Sequence, residues 1–163
     1  MRTFAQSGQF DERPDSVVLR MLKDPVVSKL LNKSSLTEVQ FEALLIDQLG
    51  DEIANRRLSR AEMAKIAHHG TGISRGALNR TLAQAKANIS GAIHTFLLLG
   101  YSGILESPSL APFVEASERL KSNTVIARES GEIGDEDYER LVESLMRDLE
   151  EAAEALTRRR RDV

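Results

Sequence analysis

Apolar residues recur at every third or fourth position along most of this chain, and this spacing constrains its fold more than any other feature of the sequence. Such a period places apolar side chains on one face of a helix. Runs that could form strands, such as Val17-Val18 and residues 124–126, are too short to pair convincingly. We therefore predict an all-α protein of six or seven helices.

Residues that start and stop helices divide this pattern into segments. Thr37 with Gln40, and Ser59 with Glu62, each fit a capping box, in which the first side chain and the fourth satisfy each other's backbone amides. Asp24, Ser74 and Asp135 are further candidate first residues, and glycines mark several ends. The predicted helices cover residues 16–23, 25–32, 37–50, 59–70, 74–100, 111–128 and a last segment from residue 135, after a loose arm at residues 1–14.

Charge is divided unevenly along the 163 residues, although the net value is only −3. Residues 55–90 contain seven Lys and Arg and one acidic residue, Glu62, which gives +6, whereas residues 91–163 have a net charge of −6. A concentrated basic segment can attract nucleic acid locally even in an acidic protein. The alternative is an ordinary solvated helix face.

Several classes of protein are excluded by composition. The chain has no cysteine, which rules out disulfide scaffolds, thiolate catalysis and Cys-based zinc sites. No apolar run reaches the roughly 18–20 residues that cross a bilayer. The first residues lack the basic and apolar regions of a signal peptide, and we expect a cytoplasmic protein.

Residues 58–89 predict a helix, a glycine-containing turn and a second, long helix. In a helix-turn-helix the first helix supports the second, which enters the major groove of DNA. Ala64 or Ala67 would lie where the helices cross, and Ile73 would fill the gap after the turn. Residues 89–99 continue the helical stripe, so no wing is expected. The inward residues of the second helix are Leu78, Leu82 and Ala85.

Three short motifs strengthen this interpretation: Leu36-Thr37-Glu38, the segment LSRAEMA at residues 58–64, and GISRG at residues 72–76. Together they resemble the helix-turn-helix in the fourth region of bacterial sigma factors and related regulators. The similarity covers about residues 36–89. It implies duplex DNA binding through residues 74–86 without a cofactor, and it leaves contact with RNA polymerase open. The segment before Gly72 is four residues longer than in that family if Ala64 supports the second helix, and one residue longer if Ala67 does.

The candidate DNA contacts fall into two groups. Arginine can pair with guanine, and asparagine or glutamine with adenine, so the candidate base contacts are Arg75, Asn79, Arg80 and Gln84. Ser74 would cap the helix and reach a phosphate, and Lys86 shares the face of Arg75 and Asn79. The candidate phosphate contacts are Arg56, Arg57, Arg60 and Lys65.

Alternatives exist for each feature. Arg75 and Arg80 could instead pair with acidic residues of the C-terminal helices, which would make the protein a helical protein–protein interaction module. His68-His69 indicates a solvated turn rather than a metal site, and residues 158–161 suit either a phosphate-binding tail or a helix C-terminus. No motif of a nucleotide-binding loop, serine hydrolase or zinc protease is present, and we expect no enzymatic activity.

The chain is expected to comprise an N-terminal arm with short helices at residues 1–35, a DNA-binding domain at residues 36–90 and a helical region at residues 91–163. The last helix carries an apolar stripe that would form a homodimer seam or pack on its own domain. We predict the homodimer, which would present two recognition helices to DNA. The residues expected at the seam are Ile93, Phe96, Leu97, Leu145, Leu149 and Leu156.

Overall fold

The computed structural model describes residues 13–105, 111–130 and 135–157. Within these ranges the chain forms seven α-helices and no strand, which confirms the all-α prediction for this part of the chain. The helices are α1 (Pro14–Leu22), α2 (Pro25–Lys33), α3 (Glu38–Ile53), α4 (Arg60–Ile66), α5 (Arg75–Tyr101), α6 (Ala111–Ser130) and α7 (Asp135–Thr157). The chain divides into two compact units, Met1–Ala92 and Ile93–Val163, and the division falls within α5.

The core of the first unit is built by α1, α3, α4 and the first half of α5. Val18 of α1, Ile46 of α3 and Leu78 of α5 are at most 2% exposed. Burial of side chains of this size stabilises the folded state by about 1.5–3 kcal/mol each. The same cluster includes Leu22, Ala43, Leu45, Leu58, Met63, Ala64, Ala67 and Leu82.

Helix starts agree closely with the sequence prediction. Both capping boxes form, with the side-chain oxygens of Thr37 and Ser59 accepting the backbone amides of Gln40 and Glu62. Asp24 caps α2 by accepting the amides of Val26 and Val27 at 2.8 and 3.3 Å. Each cap satisfies amides that lack a partner in the first turn of a helix, which explains why short polar residues mark these positions.

Four predicted helix boundaries differ from the structure by two residues or more, one of them the end of α6, which lies at Ser130 rather than at residue 128. The first helix begins at Pro14 rather than residue 16. The third helix passes Gly50 and ends at Ile53; Gly50 is there for packing rather than as a helix end, since it is buried and a Cβ there would lie 3.2 Å from Leu58. The fourth helix ends at Ile66, four residues earlier than predicted, because the next residues form a left-handed turn.

The second unit contains α6 and α7, which pack against each other and bury Leu120, Val142 and Met146. In this part of the chain α6 starts at residue 111 and α7 at residue 135, as predicted. No helix among the described residues is long and apolar enough to span a membrane. Residues 1–12 of the predicted arm, the arginines at residues 158–161 and the side chains of Leu145 and Leu156 lie outside the described residues.

Candidate nucleic-acid interface

The segment that joins α4 to α5, residues 67–74, is here called the α4–α5 turn. Four of its residues have a left-handed backbone, with φ of 59° at His68, 56° at His69, 80° at Gly70 and 82° at Gly72. Glycine adopts this conformation readily, whereas residues with a Cβ pay a cost of order 1–3 kcal/mol each. The two histidines therefore need partners that hold them in place.

Glu42 of α3 is the partner of both histidines. Its carboxylate oxygens accept the backbone amide of His68 at 3.0 Å and that of His69 at 2.7 Å. The Glu42 side chain is only 3% exposed, and the His69 ring lies 3.8 Å from it and 3.6 Å from Glu38. A buried carboxylate requires such hydrogen bonds to offset its loss of water. The turn and α3 are thus joined directly through polar atoms.

Both alanines that were predicted, as alternatives, to lie where α4 and α5 cross are buried in the structure. Ala64 and Ala67 are each 2% exposed, so the choice between them is not exclusive. Ile73 is half-buried against the core cluster, as expected for the residue that follows the turn. Its amide donates to the carbonyl of Ala64 at 2.8 Å, and the amide of Gly72 donates to that of Ala67 at 2.9 Å. These bonds fold the turn back onto the end of α4.

The first half of α5 has one buried face and one exposed polar face. Leu78, Leu82 and Ala85 are at most 4% exposed, as predicted. Ser74 caps the helix by accepting the amide of Ala77 at 3.1 Å. Four outward side chains of this segment are exposed, and among the described residues none of the four forms an ion pair or a side-chain hydrogen bond. These residues are Arg75, Asn79, Arg80 and Gln84.

Asp47 of α3 holds two of the predicted DNA-contact cations. Its carboxylate pairs with Arg60 of α4 and lies 3.3 Å from the Nζ of Lys86 of α5. The Asp47 side chain is 7% exposed. Burial raises the pKa of Asp47, but hydrogen bonds from Arg60, Gln48 and Lys86 outweigh it and lower the pKa below the ordinary value. Asp47 thus links three helices at the edge of the basic face.

Arg56, a third residue predicted to contact DNA, also forms an ion pair within the protein. Arg56 lies 2.7 Å from Glu62, whose other oxygen accepts the amide and hydroxyl of Ser59 at 2.9 and 2.8 Å. The hydrogen bond from Arg56, together with those from Ser59, lowers the pKa of Glu62 from 4.5 to about 2. Arg57 and Lys65 are exposed and, within the described chain, form no ion pair.

Sequence reasoning missed three polar residues that organise this region: Glu42, Asp47 and Asn88. Asn88 of α5 donates to the carbonyl of Ser35 at 2.9 Å and to the side chain of Gln40 at 3.0 Å. Only Glu42 carries a signal in the sequence, because it is an acidic residue flanked by Phe41 and Ala43 in an otherwise apolar stretch of α3. The partners of all three that lie on other elements are 13 or more residues away along the chain.

The histidine pair of the turn is exposed, as predicted. In the residues that the structure describes, no three His, Asp or Glu side chains are arranged to hold a metal ion. No protein-family model, curated protein or solved structure matches this chain.

Proposed function

We propose that this protein is a transcriptional regulator that binds duplex DNA through a helix-turn-helix formed by α4, the α4–α5 turn and α5. The observation that carries the proposal is the exposed polar face of α5, where Arg75, Asn79, Arg80 and Gln84 have no partner among the described residues. The opposite face of the same helix segment is buried, which fixes the direction in which these side chains point. A helix presented in this way suits the width of the major groove.

The charges around α5 support the same surface. Arg57 precedes α4 and Lys65 lies on it, and both are exposed cations suited to phosphate contacts. Ser74 starts α5, and a helix N-terminus attracts anions. The paired cations Arg56, Arg60 and Lys86 have a second role, since each stabilises the fold through a carboxylate.

The proposal is tested by titrating the full chain against a labelled random duplex at two salt concentrations. We expect binding that weakens as salt rises. Arg80→Ala should weaken binding, whereas Lys23→Ala, which removes the same charge from an exposed residue at the end of α1, should leave it nearly unchanged. Absence of binding at low salt, or equal effects of the two substitutions, would contradict the proposal.

A second function is favoured by a different observation. The second half of α5 exposes large apolar side chains, with Ile93 48%, Leu97 59% and Leu98 64% exposed. Such residues are typical of a surface that another protein covers. We propose a homodimer that is joined through these residues of α5; the α7 stripe contributes less, because its Val142 and Met146 are buried in the packing of α7 against α6. If DNA binding fails while self-association remains, the protein is a helical interaction module instead.

A further inference from the structure

We infer that Glu42 is a positioning residue for DNA binding: it fixes where α5 begins relative to α4 by holding the amides of His68 and His69. The inference rests on the proposed DNA binding, although Glu42 itself is 2% exposed and touches no nucleic acid. Its two oxygens bind two different amides, 26 and 27 residues away along the chain. Two bonds to one rigid carboxylate fix both the distance and the orientation of the turn relative to α3.

Packing alone does not hold the turn. A half-open cleft of about 270 Å³ lies beside it, lined by Glu42 and its apolar neighbours on α3, by Ala77 and Thr81 of α5, and by His68 and Ile73 of the turn. The rings of His68 and His69 are exposed, so neither is held by burial in the core. The turn packs against Asp15 of α1 at Gly70 and against the end of α4 at Gly72, but it has room to move toward the cleft, and its left-handed histidines favour leaving this conformation. The hydrogen bonds to Glu42 oppose that shift.

A shift of the turn would move the proposed DNA contacts directly. Ser74 and Arg75 follow His69 by five and six residues, and Ile73 is tied to the end of α4 by one backbone bond. Base contacts require donors and acceptors within hydrogen-bond distance, so a displacement of about 1 Å weakens them. Loss of the Glu42 bonds is therefore expected to reduce DNA affinity in a protein that is still folded.

The test compares two substitutions in α3 that make the same chemical change. Glu42→Gln removes one negative charge and leaves one side-chain oxygen to serve two amides. Asp51→Asn also removes one negative charge, and it alters a carboxylate that accepts the amide of Leu58 at 2.8 Å, outside the α4–α5 turn. For each full-length variant we would measure the free energy of unfolding in urea, amide hydrogen exchange at residues 68–73, and affinity for a random duplex.

We expect Glu42→Gln to speed exchange in the turn and to weaken binding to random duplex about threefold, because displacement of α5 moves its cations away from the phosphates; the loss on a cognate site, where base contacts also weaken, should be larger. Asp51→Asn should leave exchange in the turn unchanged and bind DNA at least as well as the wild-type chain, since it removes a negative charge. If both variants are fully folded and bind DNA equally, the inference is wrong.

A further variant covers the case in which Glu42→Gln does not fold. Glu42→Asp keeps the charge but shortens the side chain by one methylene, so both amides can no longer be reached in the same geometry. It should also speed exchange in the turn and weaken DNA binding, and wild-type values of both would overturn the inference. If the wild-type chain binds no DNA, the proposed function fails, whereas exchange in the turn still decides whether Glu42 fixes it.

Discussion

Arg80 carries the sharpest prediction at the scale of single residues. It is exposed on α5, and no ion pair forms with it in the described chain. Replacing Arg80 or Asn79 with alanine should cost about 1–3 kcal/mol of binding free energy on a cognate site, and less on random duplex. Arg57→Ala should weaken both duplexes about equally, because a phosphate contact carries no sequence information.

Two measurements on the Arg80→Ala protein separate binding from folding. Anisotropy titrations give its affinity for both duplexes, and urea unfolding gives its free energy of unfolding. Unchanged affinity together with lower stability would show that Arg80 has a structural role instead.

Glu62 and Asp47 make stability depend on pH in the acid range. Both have a lower pKa in the folded protein than in the unfolded chain, and for Glu62 the change is from 4.5 to about 2. The unfolded chain therefore binds more protons in this window, so the contribution is complete above the unfolded pKa and is lost as pH falls through the folded value. We expect the free energy of unfolding to fall between about pH 5 and about pH 2.

Urea unfolding across this range checks the pH effect. Glu62→Gln should flatten the dependence while keeping the cap, since Gln40 fills the same role in the other capping box. At neutral pH, Asp47→Ala should lower the free energy of unfolding by about 0.5–1.5 kcal/mol, because the ion pairs with Arg60 and Lys86 are lost but both cations stay in contact with water. A Glu62→Gln protein with an unchanged pH profile would contradict the assignment.

At the scale of elements, two glycines should respond in opposite directions to alanine. Gly72 has a φ of 82°, so Gly72→Ala should destabilise the protein by about 1–2 kcal/mol. Gly91 lies within α5, where a Cβ would meet nothing within 4 Å. Gly91→Ala should therefore stabilise the protein by about 0.5–1 kcal/mol. Urea unfolding of the two variants measures both values, and a shift of the same sign in both would contradict this account of the turn and the helix.

Helix starts could be predicted from the sequence because a cap involves residues within three positions of one another. Thr37 and Ser59 illustrate this, and the long helix α5 follows from the uninterrupted spacing after Ser74. Helix ends were harder to predict, because a glycine can mark close packing as well as a helix end: at Gly50 the close approach of Leu58 leaves little room for a Cβ, and the helix continues. The roles of Glu42 and Asp47 could not be predicted, since hydrogen bonds between separate helices leave no periodic pattern in the sequence.

At the scale of the whole molecule, the first unit should fold without the second. Its core cluster draws only on residues between Val18 and Leu82, all within Met1–Ala92. We expect a fragment of residues 1–92 to unfold cooperatively in urea and to keep DNA binding. In light scattering the full chain should have a mass of about 36 kDa, twice the 18.1 kDa of one chain, and the fragment should be a monomer. A monomeric full chain at micromolar concentration would contradict the dimer.

For the proposed DNA binding, the internal pairing of Arg56, Arg60 and Lys86 would determine how many cations remain to displace the ions condensed on DNA. Residues 55–90 contain seven Lys and Arg, and three of them already have carboxylate partners. Each neutralised phosphate contributes about −0.9 to the slope of log affinity against log salt, so four unpaired cations give about −3.6 per chain and seven give about −6.3. We expect the smaller slope. Asp47→Ala, which releases Arg60 and Lys86, should then make the slope of log affinity against log salt steeper. The number of ions released on binding would in that case be set by a carboxylate that never contacts DNA.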